Sequence, residues 1–250
     1  MEDEAIQARR RKAFAAKKRQ KQQRSNKISP ATNAPRAIFN DIAQQFPGKI
    51  VTQSYLRFEK ELTTQSDVVF SVLLNQGAQN PTERRLSIND AFVIYDLSVM
   101  IYKLPDGEAN GSQLLNTWAN PLIYSKAGED KALNNIYNSF LSIRKNSTVY
   151  IDSLDVLRYL RIGAAQKGVD LGGGTGISPD IYLADSYNSA NYPFQALTPG
   201  ILLDGMAKNE ITLRLPDSVD MTGTTSKNYA VCYCRGLLIS DGADFANKNR

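Results

Sequence analysis

Phe92-Val-Ile-Tyr-Asp-Leu-Ser-Val-Met-Ile-Tyr-Lys103 is the stretch on which the fold turns. Val93, Tyr95, Leu97, Val99 and Ile101 alternate with other residues, and Asp96 and Ser98 fall on the opposite side. A period of two over so many residues predicts a strand with one buried face. Outward from it the same period recurs. Ile50, Thr52, Ser54, Leu56 and Phe58 form one such face, and Val68, Phe70, Val72 and Leu74 another, which Asn75-Gln-Gly77 ends. Thr148–Ile151, Val156–Ile162, Ile211–Leu215 and Tyr229–Ile239 are further candidate strands. The last has a bulky side (Tyr229, Val231, Tyr233, Leu237, Ile239) and a small side (Ala230, Cys232, Cys234, Gly236), which predicts a second layer packed closely on the small side.

Helices are few. Asn33 suits a cap and Pro35 a first turn, and Ile38, Phe39, Ile42, Ala43 and Phe46 then share one face until Pro47-Gly48. Ala132, Leu133, Ile136, Tyr137, Phe140 and Leu141 predict a second helix of about four turns. Between Gly163 and Pro199 the pattern reads as long loops, with Gly172-Gly-Gly-Thr-Gly176 and Asn188–Pro193 within them. Many strands with few helices predict an antiparallel sandwich or barrel; an α/β fold would need a helix after nearly every strand.

The charge is lopsided. Residues 1–28 hold ten Lys/Arg against three Asp/Glu, and the other 222 residues hold 20 against 22. The basic residues are Arg9, Arg10, Arg11, Lys12, Lys17, Lys18, Arg19, Lys21, Arg24 and Lys27. From Glu4 to Arg24, Ile6 and Phe14 are the only large apolar residues, so the arm lacks a stripe that could dock on a core. Its cations suit a polyanion: counterion release gives nucleic-acid affinity without sequence specificity, and ten neutralised charges on a duplex would give a salt slope approaching about −9. An anionic membrane surface is the competing partner. With one aromatic in the arm, backbone charge outweighs base stacking there.

Chemistry-bearing motifs are sparse. The chain has no His, which removes the usual Ser-His-Asp and Cys-His arrangements and His-ligated metals. No Gly-x-Ser-x-Gly elbow occurs, and no Gly-Lys-Ser/Thr follows the glycine-rich stretch. Asp152/Asp155 and Asp241/Asp244 read as solvated turn residues, so a carboxylate-only hydrolase or an Asp/Glu metal enzyme is the minor enzymatic alternative. The expectation is a non-enzymatic protein with no catalytic residues, metal site or cofactor. Cys232 and Cys234 read as small core residues in a reducing compartment. A charged N-terminus without an apolar segment behind it predicts synthesis in the cytoplasm. Asn110-Gly-Ser and Asn146-Ser-Thr match the glycosylation pattern, by chance on that expectation.

The order of basic arm, linker helix and β-rich body is similar to that of coat proteins of icosahedral viruses and phages with a jelly-roll shell fold. Leu86-Ser-Ile-Asn-Asp-Ala-Phe92, Asn209-Glu-Ile-Thr-Leu-Arg-Leu-Pro216 and Tyr229–Ile239 with Arg235-Gly236 resemble segments of small phage virion proteins. The resemblance implies an arm over 1–33, a linker helix over 34–48 and a jelly-roll shell domain over 49–250. One roll needs eight strands, and eight to twelve candidates favour it over a compact double roll. It further implies self-assembly into a closed capsid of this chain and other virion proteins, formed in the host cytoplasm. The arm would face the genome or an internal membrane. The alternative is a nucleic-acid-binding or scaffold protein that forms no shell, which would need aromatic and basic residues together on the folded body.

Overall fold

The computed structural model describes residues 34–109, 113–121, 123–162 and 193–244. The chain divides into two units, 1–47 and 48–250. In the first, helix α1 (Ala34–Gln45) begins where Pro35 suits a first turn.

The second unit is mainly β. Eight strands run in the order β1 (Val51–Leu62), β2 (Thr64–Phe70), β3 (Ala91–Pro105), β4 (Phe140–Lys145), β5 (Thr148–Asp155), β6 (Gln195–Asp204), β7 (Asn209–Asp220) and β8 (Ser226–Ile239). They form two four-stranded sheets, β1-β8-β3-β6 and β2-β7-β4-β5. Every pairing is antiparallel. The pairing is nested: β1 lies beside β8, β2 beside β7, β3 beside β6 and β4 beside β5.

The sheets pack face to face over one apolar core. Leu56, Phe58, Leu97, Val99, Ile101, Ala230, Cys232 and Cys234 come from the first sheet, and Val68, Phe70, Leu141, Ile143, Ile211 and Leu213 from the second. The small side of β8 thus faces the other layer, as its residue sizes predict. The two thiols are free and buried, 3.9 Å apart.

Several stretches differ from the sequence expectations. In β3 the residues reaching the core are Phe92 and Ile94, then Leu97, Val99 and Ile101. The register against β8 shifts between Ile94 and Asp96, leaving Tyr95 as an extra residue. A bulge of this kind reverses which residues face inward, so Val93 and Tyr95 are not on the core face. Gly236 makes the bulge possible: a Cβ there would run into the Val93 carbonyl oxygen and the Phe92 ring.

The four-turn helix is much shorter. Helix α2 covers Glu129–Asn134, a 3-10 turn follows over Asn135–Asn138, and Phe140 already belongs to β4. Ser139 is extended (φ −86°, ψ 172°) and ends the turn. Leu133, Ile136 and Tyr137 are buried, whereas Phe140 is 45% exposed. Adjacent apolar residues fit a helical stripe and a half-buried strand start equally well, and tertiary pairing with β7 decides. Likewise Val156–Tyr159 forms a 3-10 turn instead of a strand; the Asp155 carboxylate accepts the Leu157 N–H at its start. β4 and β6 complete the sheets at places where the sequence pattern predicts a helix end and a loop.

Candidate nucleic-acid interface

The predicted contacts Arg9 to Lys27 lie outside the described residues, as does the glycine-rich loop. Within the second unit, the outer face of the first sheet gathers most of the unusual side chains. Its rows follow from register. Tyr55, Arg235 and Asp96 lie side by side across β1, β8 and β3, and the next row is Arg57, Tyr233 and Ser98. Further along, Glu61, Tyr229 and Tyr102 make another row. All are the outward members of strands whose alternate residues fill the core.

Tyr55, Arg235 and Tyr233 of the first two rows line a groove. Tyr55 and Tyr233 stack with ring centroids 5.2 Å apart and planes 19° off parallel. Phe194 meets Tyr233 edge-on at 5.4 Å. Gln53, Ser54, Tyr55, Tyr95, Tyr233 and Arg235 enclose a depression of about 230 Å³, below the ~300–1,000 Å³ usual for small-molecule sites but of a size for one planar ring. The bulge turns Tyr95 into it, where its hydroxyl accepts a hydrogen bond from the Gln53 amide at 3.2 Å. Burial, and then Tyr55 beside it, raises the Tyr233 hydroxyl above its ordinary value, so it stays protonated.

Three arginines flank the rings. The Arg235 guanidinium lies 3.9 Å from the Phe194 centroid and pairs with Asp96 at 2.6 Å. Arg57 pairs with Glu59 at 2.6 Å. Arg84 is exposed, lies 4.9 Å from the Tyr55 centroid, and has no carboxylate partner among the described residues. Its backbone is pinned to the edge of β1 by two hydrogen bonds with Arg57, each 2.9 Å. Around the groove Arg235 pairs with Asp96 and Arg57 with Glu59, and Arg84 has no carboxylate partner among the described residues.

A buried polar cluster holds the loop carrying Arg84. The Glu83 carboxylate accepts the backbone N–H of Glu59 and of Asn80 and pairs with Arg85 at 2.8 Å. Arg85 also donates to the carbonyls of Gln76, Gly77 and Ala78. Glu59 receives the Tyr102 hydroxyl and the Thr82 hydroxyl, both at 2.7 Å. Each charge here has fixed partners, so the cluster is architectural and sets where Arg84 stands.

A cation over an exposed ring is worth about 0.5–1 kcal/mol. A nucleobase on an aromatic ring is worth about 1–3 kcal/mol. A planar base beside Tyr55 can therefore gain more from that ring than the Arg84 guanidinium does, and Arg84 stands 4.9 Å from the same ring, within reach of a phosphate. Among the described residues no group of three or more Cys, Asp or Glu is placed to hold a metal ion, and no helix is long and apolar enough to cross a membrane.

The sequence pattern singled out none of the groove residues as a site. Tyr233 and Arg235 stood within the last strand, and Tyr55 and Arg57 are the odd-numbered members of β1, opposite the apolar face that marked it as a strand. The available signal was Tyr-x-Arg in both strands; that the two would be neighbours required the nested pairing. The chain matches no protein-family model, no curated protein and no solved structure.

Proposed function

We propose that the chain is the structural protein of a virion shell, a single jelly roll that assembles with copies of itself into an icosahedral capsid, its basic arm turned toward the genome. The observation that carries this reading is the nested pairing of first strand with last, second with seventh, third with sixth and fourth with fifth. A chain doubled into one long antiparallel ribbon and wrapped into two sheets has this order, and eight-stranded jelly rolls are common in capsids. The fold alone does not assign a function; the ten cations of the arm add a polyanion partner, nucleic acid or else an internal anionic membrane.

The alternative of a nucleic-acid-binding protein without a shell has one observation in its favour, the aromatic and arginine side chains together on the body. Electron microscopy of the purified full chain, with and without nucleic acid, separates the two. Closed symmetric particles or regular capsomers are expected. A 27.7 kDa monomer under all assembly conditions, with or without nucleic acid, would overturn the shell reading.

A further inference from the structure

We infer that the outer face of the first sheet is itself a binding site for single-stranded nucleic acid, in which an unpaired base enters the groove beside Tyr55 and the Arg84 cation next to that ring meets the adjoining phosphate. The groove between Tyr55, Tyr95 and Tyr233 is the size of one ring, with these three aromatic side chains beside Gln53, Ser54 and Arg235 in its lining. Tyr55 is 39% exposed despite its stacking on Tyr233, so it is accessible from the groove it lines. Gln53, Ser54 and the Tyr95 hydroxyl supply polar groups at the rim for base edges. Arg84, 4.9 Å from the Tyr55 centroid and exposed, supplies the cation for the adjoining phosphate.

The chemistry selects a single strand. In a duplex the base faces are already stacked on one another, and a ring-sized groove on a sheet admits no paired bases. It also favours a nucleotide over a neutral aromatic guest: Arg84 beside the groove has no carboxylate partner among the described residues, and the nearby carboxylates Asp96 and Glu59 are occupied by arginines. The site differs from the basic arm in kind. Arm binding through counterion release falls steeply with salt, whereas stacking survives it. The inference goes beyond the shell reading and does not depend on it.

The test uses the full chain and fluorescence anisotropy with labelled oligothymidylate and a duplex of equal length. Salt is raised to roughly 0.5 M, where counterion release no longer holds the arm. Salt-resistant binding of the single strand over the duplex is expected. Tyr55→Leu should weaken it about tenfold, as expected for the loss of a stacked base, and Tyr55→Phe should restore it. Arg84→Gln, at an exposed side chain, provides a second variant should Tyr55→Leu fold poorly, and should also weaken binding. Absence of salt-resistant single-strand binding would overturn the inference, as would unchanged affinity in both Tyr55→Leu and Arg84→Gln. Micrographs of the same samples keep the two proposals apart, since particles without stacking sink only the inference, and stacking without particles sinks only the shell.

Discussion

Arg235 on β8 donates from Nη2 to Asp96 Oδ2 at 2.6 Å, joining neighbouring strands 139 residues apart in sequence at the point where β3 bulges. The next residue, Leu97, points the opposite way and is fully buried in the core.

The two neighbours should therefore respond differently to substitution. Leu97→Ala leaves a cavity and should cost about 2–5 kcal/mol. Asp96→Asn keeps an acceptor beside Arg235, and the pair is 20–25% exposed, so the loss should stay near 1 kcal/mol or less. Denaturant melts of both variants check this. Equal losses would mean that the strand is out of register by one residue.

Arg85 should matter more than any exposed charge. It is buried against Glu83 and closes off three carbonyls of the loop before it. Arg85→Met strands a buried carboxylate, a change that costs about 3–5 kcal/mol. Adding Glu83→Gln should recover part of that loss, because the two residues form one unit. Urea titrations of the single and double variants measure the coupling, and simple additivity would contradict it.

β1, β3, β7 and β8 were legible because apolar residues alternate along them, and the basic arm because its charges are contiguous. The bulge at Tyr95 was not legible: Val93, Tyr95 and Leu97 alternate without a break, and only Gly236 on a distant strand shows why the face changes. The stretch from Ala132 to Leu141 fits a helix locally, yet pairing of β4 with β7 overrides it beyond Asn138. Arg84 sits in a loop with no period, so nothing local pointed to its place over Tyr55.

Alkaline conditions should destabilise the fold. Burial raises the hydroxyls of Tyr102, Tyr124, Tyr137 and Tyr159 above their ordinary value; Glu59 adds to this at Tyr102. An unfolded tyrosine ionises near pH 10, while the folded ones keep their protons. The folded state then binds more protons, so stability is intact below about pH 10 and falls as pH rises above it, by up to about 1.4 kcal/mol per pH unit for each tyrosine. Thermal melts from pH 8 to 12 check this; a flat profile with no tyrosinate absorbance change on unfolding would contradict it.

Binding through the arm should be indifferent to sequence. Replacing Arg9, Arg10, Arg11, Lys12, Lys17, Lys18 and Arg19 with glutamine should weaken unrelated nucleic acids alike. It should also flatten the salt dependence, by about 0.9 in slope for each phosphate no longer neutralised on a duplex and about 0.7 on a single strand. Filter binding across salt concentrations measures both, and an unchanged slope would show that the arm's cations do not meet phosphate.

The nested pairing also governs when the protein can fold. β1 and β3 do not touch as neighbours in the first sheet; β8 lies between them, and in the second sheet β7 lies between β2 and β4. Both joining strands come after residue 208. A chain leaving the ribosome therefore carries its first six strands without the partners that unite either sheet. Such pairings, distant in sequence, form slowly and leave apolar edges bare meanwhile. Folding completes only once Ile239 has emerged, so a nascent or truncated chain lacking β8 cannot close the first sheet and presents its unpaired strands to chaperones and proteases.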